Sequence, residues 1–391
     1  MRLGLRGFLA LATASYLVSV SSKIFLPPYQ SYSDIGYVYD LFVLPTKNGV
    51  PYHAYAASST PGGGFVYPAI PAILIWLSGF GVPSREFYLA RMALLTFPFV
   101  IIAVYFLYRI CVQFGFDRRR VIPFFILAPS FLVLSFYSWD IIATSLVVAA
   151  AYNALRKRPR LVGLCLGLGF AAKSYPLLLL PVFLKEAQTW RSRLELLLST
   201  VLGGLIPNLP FMFIDFNGWF HTIAAPAGRG GLYVEDSIWN VVQYYHLIEQ
   251  GWLMSLVAWS IIIFVVLCVT FSRASFVLRL WLVEAVTILV FPTYPPQFNV
   301  WLLPLFVLIP FFPYVPFLAF DFLDTAIILV WFSVPVPDYI PAWGPIWDIF
   351  LARIGLLAAL LIWALHRRSE SLTVPQGSNQ LGVIGPPPAV P

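Results

Sequence analysis

Asp34 is the residue whose type and setting come nearest to chemistry. It stands in Ser31-Tyr-Ser-Asp-Ile-Gly-Tyr-Val-Tyr-Asp40, directly after the first apolar segment of membrane-spanning length. A carboxylate held among tyrosines at a membrane surface can take a proton from a hydroxyl while a neighbouring carbon becomes oxocarbenium-like. Aspartate is also a preferred helix cap, so a cap or a solvated loop acid is the competing reading. Asp140, in Ser138-Trp-Asp-Ile-Ile-Ala, opens a long apolar helix. There capping and the helix dipole favour an acid on structural grounds alone.

Lys173 interrupts Gly167-Leu-Gly-Phe-Ala-Ala-Lys-Ser-Tyr-Pro176. A lysine in so apolar a hairpin needs an anion such as a lipid phosphate, or a stem that carries its charge to the interface. Arg91 and Arg229, the latter in Ala224-Ala-Pro-Ala-Gly-Arg229, can each grip a phosphate or merely pair with a surface carboxylate. Asp40, Tyr175, Glu235 and Gln297 are the further polar groups that would line a site with them. Glu284, Asp321 and Asp324 fall inside apolar runs, where acids serve a proton or ion path or are buried structural groups. His53, His221, His246 and His366 show no ligand spacing, and no phosphate loop, nucleophile elbow or dinucleotide fingerprint occurs. The expectation is therefore a site without metal or cofactor.

The elements that must hold these groups follow from composition. The 391 residues are 60% hydrophobic and 10% charged, with a mean hydropathy of +0.83. Apolar runs of bilayer length recur from end to end, which requires a polytopic α-helical membrane protein and excludes the short alternating segments of a β-barrel. The net charge of +7 is gathered in short inter-helix clusters, so it reports orientation and not a nucleic-acid partner. Cys111, Cys165 and Cys268 lie in apolar runs and define no disulfide or metal framework.

Arg2 and Arg6 precede the first run, which is long for a signal peptide and is read as a retained helix with its far end, and Asp34, outside the cytoplasm. Basic clusters at 118–120, 156–160, 185–193, 273–279 and 366–368 belong inside. With that constraint only one of the runs 65–82 and 92–113 can cross. Pro68 and Pro71 make the first of them an interfacial helix within a large outer loop.

Further spans are expected at 121–138, 140–156, a broken hairpin over 161–186, 195–214, 252–271, 276–293, 298–313, 316–335 and 347–366. That makes about twelve helices with both termini inside. Residues 1–368 form one transmembrane domain, and 369–391, rich in Pro, Gly, Ser and Gln, read as a disordered cytoplasmic tail. The threading collects Asp34, Asp40, Arg91, Asp140, Glu235 and the Pro292–Gln297 turn on the outer side.

An ordered set of motifs resembles the GT-C membrane glycosyltransferases, specifically the polyprenol-phosphate-mannose-dependent type of glycosyltransferase family 87. The pieces are Tyr32-Ser-Asp-Ile-Gly36, Pro51-Tyr52 with Tyr67-Pro68, Leu89-Ala-Arg91, Trp139-Asp140, Gly167 to Pro181 with Lys173-Ser-Tyr-Pro, and Pro295-Pro-Gln297 before Trp301-Leu-Leu-Pro304. The resemblance implies inverting transfer of a sugar, usually mannose, from a polyprenyl phosphate to a glycolipid or lipid-linked glycan outside the cytoplasm.

On that pattern Asp34 is the base, Lys173 and Arg91 hold the donor phosphate, and Asp140 lines the site. From the compact chain with only a tail appended, a prokaryotic plasma membrane is expected ahead of the endoplasmic reticulum. The sequence departs from the family pattern in its spaced Pro68 and Pro71 and its short second outer loop. A transporter or lipid flippase using Glu284, Asp321, Asp324 and Lys173 is the alternative, opposed by the lack of internal repeats.

Overall fold

Apolar side chains on every face dictate where two of the helices must lie. The segment 140–155 is buried at every residue from Asp140 to Asn153, and all ten residues of 299–308 are buried, so both run through the centre of the bundle. The structure, a computed structural model, describes residues 4–26, 31–53, 65, 67–220, 236–248, 251–331 and 345–368.

In chain order the α-helices are α1 (Leu5–Phe25), α2 (Asp34–Val38), α3 (Ala69–Gly79), α4 (Arg85–Phe114), α5 (Pro129–Leu134), α6 (Asp140–Leu155), α7 (Pro159–Ala172) and α8 (Leu180–Glu186). There follow α9 (Trp190–Ile214), α10 (Ile238–Tyr244), α11 (Gly251–Phe271), α12 (Phe276–Val290), α13 (Asn299–Leu308), α14 (Tyr314–Trp331) and α15 (Pro345–His366). No strand occurs among the described residues. Among the described residues six helices, α1, α4, α9, α11, α14 and α15, are long and apolar enough to cross a membrane. They turn side chains such as Leu94, Phe264 and Ile362 outward, as a lipid-facing surface requires.

Where an interfacial helix is expected, the chain forms the short helix α3. Its 11 residues span about 16 Å, too short to cross a bilayer. Pro68 precedes it and Pro71 sits in its first turn, where a missing N–H costs nothing. The hairpin over 161–186 also takes the expected broken form. α7 ends at Ala172, Lys173 is extended (φ −159°, ψ 147°), and a 3₁₀ turn over Tyr175–Leu179 leads into α8.

Four expected spans differ. The helices over 140–156, 276–293 and 298–313 have 16, 15 and 10 residues, short of a bilayer crossing. Residues 121–138 are not a single helix but a π-type turn at Ile122–Ile126, then α5, then an irregular stretch to Trp139. Pro123 and Pro129 remove backbone donors and bar a continuous ladder, and the break lets the stretch before Asp140 meet the first outer loop. The tail 369–391 lies outside the described residues.

Two features fix the frame. α7 and α9 approach so closely that a Cβ on Gly167 would lie 2.1 Å from the Thr200 carbonyl oxygen, the small-residue seam of membrane helix pairs. At the far end of α13, Arg120 donates to the carbonyls of Phe306 and Ile309 at 2.9 Å and of Val307 at 3.1 Å, closing the helix C-terminus. α13 thus runs from Gln297 to the basic cluster at 118–120. α6 likewise runs from Asp140 to the cluster at 156–160.

Candidate active site

Ser33 settles what Asp34 is not. Its extended backbone (φ −156°, ψ 150°) and its hydroxyl, which accepts from the Gly36 amide at 3.1 Å, make Ser33 the cap of α2. The half-buried Asp34 carboxylate is thereby released from capping, and Oδ2 accepts from Gln297 Nε2 at 3.2 Å. The Ile35 amide donates to the Tyr137 carbonyl at 3.4 Å, drawing α2 against the stretch that precedes Asp140. Lys23, buried near the end of α1, lies 5.4 Å from the Tyr137 ring centroid and within electrostatic reach of Asp34.

At Gly36 a Cβ would meet the guanidinium of Arg85, the movable end of a long side chain, which lies across α2. Arg85 Nε then stands 3.4 Å from Asp40 Oδ2. Partial burial pushes the Asp40 carboxyl above its usual range, and the guanidinium offsets only part of that.

Asp140 is held more tightly. Lys173 Nζ lies 3.1 Å from Oδ1, the Trp301 indole donates to Oδ1 at 2.6 Å, and the Ser138 hydroxyl donates to Oδ2. The Asp140 side chain is 1% exposed while that of Lys173 is 27% exposed, so the ammonium has one buried partner and one open side. Lys173 also lies 4.9 Å from the Phe298 ring centroid. Tyr175, two residues on, stacks on Trp301 at 4.0 Å with an 11° interplanar angle. Aromatic walls of this kind keep the lysine stem dry and lower the local dielectric around the pair.

A single turn of chain joins these parts. Gln297 touches Asp34, Phe298 underlies Lys173, and Trp301 holds Asp140. Residues four apart share a helix face, which explains why Gln297 and Trp301 both reach the site. Asn299, on the opposite face, donates to Asp321 Oδ1 at 2.6 Å. Asp321 Oδ2 takes the Ser130 amide at 3.0 Å, and Asp324 pairs with Arg353 at 2.7 Å. Asp321 and Asp324 are therefore engaged in a buried clasp.

Of the residues expected at a site, Asp34, Asp140, Lys173, Tyr175 and Gln297 come together, with Asp40 at the margin through Arg85. Arg91 lies elsewhere: it is exposed, and its guanidinium donates to the Phe80 carbonyl after α3. Arg229 and Glu235 lie outside the described residues.

Sequence reasoning missed Lys23, Arg85, Ser138 and Trp301. Lys23 was visible as a lysine closing the first apolar run, and Trp301 as the residue one turn beyond Gln297. Nothing in the spacing tied Arg85 to a glycine 49 positions earlier. Among the described residues, no three His, Cys, Asp or Glu side chains are placed to hold a metal ion.

An all-helical bundle with carboxylates, a half-open lysine and aromatic walls gathered at one end defines a polytopic membrane protein with a polar site at its surface. The chain belongs to glycosyltransferase family 87, whose family model matches residues 65–292, more than half of its length. It is a membrane glycosyltransferase of the GT-C type. Lys173, Asp140 and Tyr175 fall inside the matched segment, and Asp34 and Gln297 outside it. No curated protein matches the chain significantly.

Proposed function

We propose that the protein transfers a sugar, with mannose the first candidate, from a polyprenyl phosphate to an acceptor hydroxyl on the extracytoplasmic face, with inversion. The acceptor is a glycolipid or lipid-linked glycan, and the membrane is a prokaryotic plasma membrane. Asp34 accepts the proton of the acceptor hydroxyl. The hydroxyl oxygen attacks the anomeric carbon from the side opposite the phosphate, and the bond from that carbon to the phosphate oxygen breaks with its electron pair on the phosphate. Lys173 receives the developing phosphate charge, with Arg85 as a second cation at the rim.

The observation that carries this reading is the turn from Gln297 to Trp301. Gln297 reaches a carboxylate suited to a base, and Trp301, one helical turn on, holds the acid paired with a lysine suited to a leaving phosphate. Asp140 takes three donors and is better suited to orienting Lys173 than to accepting a proton. The helix ends on this side are distant from the basic clusters, which supports an outer site. Asp321 and Asp324 are committed to fixed donors, which counts against an ion path through them.

The test is transfer of radiolabelled mannose from polyprenyl-phosphate mannose to lipid acceptors by purified wild type and Asp34→Asn in parallel. A fall of about 10²–10⁴-fold in the variant, with an unchanged melting temperature, is expected. Equal product from both proteins would remove Asp34 from the mechanism.

A further inference from the structure

Glu284 is the charged side chain that the proposed reaction leaves without a task. It lies six residues before the end of α12, is 2% exposed, and neither carboxylate oxygen has a hydrogen-bond partner among the described residues. A buried carboxyl left so is costly, since a side chain that gave up water has gained nothing in return. Asp140, Asp321 and Asp324 show how this same bundle treats its other buried acids, each with two or more donors.

The oxygens of Glu284 border a narrow crevice. Thr287, one helical turn along the same face, contributes a hydroxyl that is likewise unpartnered among the described residues. Tyr175 and Trp301, stacked on each other, line the same crevice, and Phe298 also stacks on Trp301, so Tyr175 supplies what open ring face there is. Trp301 is the residue whose indole holds Asp140 beside Lys173, so the crevice adjoins that pair. A carboxyl and a hydroxyl beside an aromatic ring match one ligand chemistry, a polyhydroxylated ring with polar edges and an apolar face.

We propose that Glu284 and Thr287, beside Tyr175 and Trp301, form a subsite that grips hydroxyls of the sugar on the lipid-phosphate donor and so selects which sugar is used. This rests on the glycosyl-transfer reading above. The walls stand too close to admit a water, so a ring enters only as they part. Tyr175 opens the short 3₁₀ turn two positions after Lys173, so this wall and the lysine share one stretch of chain.

The test is equilibrium binding to the purified full chain in detergent, with no turnover required. Bare polyprenyl phosphate is compared with its mannosyl, glucosyl, galactosyl and arabinosyl forms, using wild type, Glu284→Gln and Glu284→Leu. In wild type at least one sugar form should bind about tenfold or more tighter than the bare lipid phosphate, the scale of one or two hydrogen bonds to buried groups. Glu284→Leu should erase that gain, Glu284→Gln should keep part of it, and the bare lipid should bind all three proteins alike.

The subsite is overturned if the gain survives in Glu284→Leu, if no sugar form outbinds the bare lipid in wild type, or if both variants weaken the bare lipid equally. Should Glu284→Leu fail to fold, the isosteric Glu284→Gln decides by whether the gain shrinks. Failure of the transfer reading gives a different pattern, with no product formed while sugar-dependent binding persists.

Discussion

Arg353 and Asp324 pair at 2.7 Å with both side chains fully buried, whereas Lys173 and Asp140 pair at 3.1 Å with the lysine 27% exposed. The first pair is closed off. Arg353 also donates to the carbonyls of Asp236 and Tyr294 and lies 3.6 Å from the Tyr294 ring centroid, so its fork is spent on α14, α10's approach and the turn before α13. In the second pair only the acid is enclosed, and the ammonium keeps a side turned outward. An arginine whose two terminal nitrogens are both engaged in the interior fastens structure, while a lysine anchored by one partner retains capacity to meet an incoming anion. Position in the bundle and the chemistry of the cation together separate the two roles.

That contrast is open to direct attack. Arg353→Met leaves Asp324 buried without its cation and should destabilise the protein by about 3–5 kcal/mol, read as a large drop in melting temperature in detergent. A variant that melts like wild type would mean the enclosed pair is not what fastens α14 to α15. Lys173→Met should cost less stability, since Asp140 keeps the Ser138 and Trp301 donors, while lowering transfer by about 10²–10³-fold, the usual cost of removing one donor to developing charge. If it instead unfolds, the two pairs are alike and the distinction drawn here fails.

The smallest effect concerns Asp40, whose carboxyl is lifted in the folded state by partial burial. The folded state then holds this proton more tightly than the unfolded chain, so Asp40 contributes less stability as pH rises from its ordinary value through the raised one. Asp40→Asn should therefore gain on wild type across that window and hold the difference at neutral pH. With the side chain 51% exposed, screening limits the gap to less than about 0.5 kcal/mol. Melting curves at a series of pH values would reveal a difference of opposite sign.

How much of this was legible in the sequence varies by element. Hydrophobic runs report span length directly, so α1, α4, α9, α11, α14 and α15 stand where the apolar periods lie, and the break at Lys173 follows from a charge in an apolar hairpin. The segment 121–138 misled because its hydropathy is continuous while its two prolines are not. Hydropathy measures solvation, and proline acts through the backbone.

Of the site, Asp34, Asp140 and Lys173 were conspicuous as charges at segment ends. Arg85 was hidden because it lies across a glycine on another helix, a long-range packing relation that no local pattern encodes. Arg91 stood out by motif, yet its guanidinium serves the chain end after α3. A resemblance transfers positions, and a neighbouring arginine can stand nearer the carboxylate instead.

The turn from Gln297 to Trp301 serves two clients at once, with Gln297 and Trp301 on one side and Asn299 on the other. Each residue of a helix is rotated by about 100° from the last, so adding or deleting one residue just before Gln297 would swing all three side chains together. The amide would leave Asp34, the indole would leave Asp140, and the buried clasp would lose Asn299 in the same step. Rotational phase is thus a shared resource here: length changes in this connection act on the Asp34–Asp140 end and the buried clasp together, and substitutions are the edits through which the two can be tuned apart.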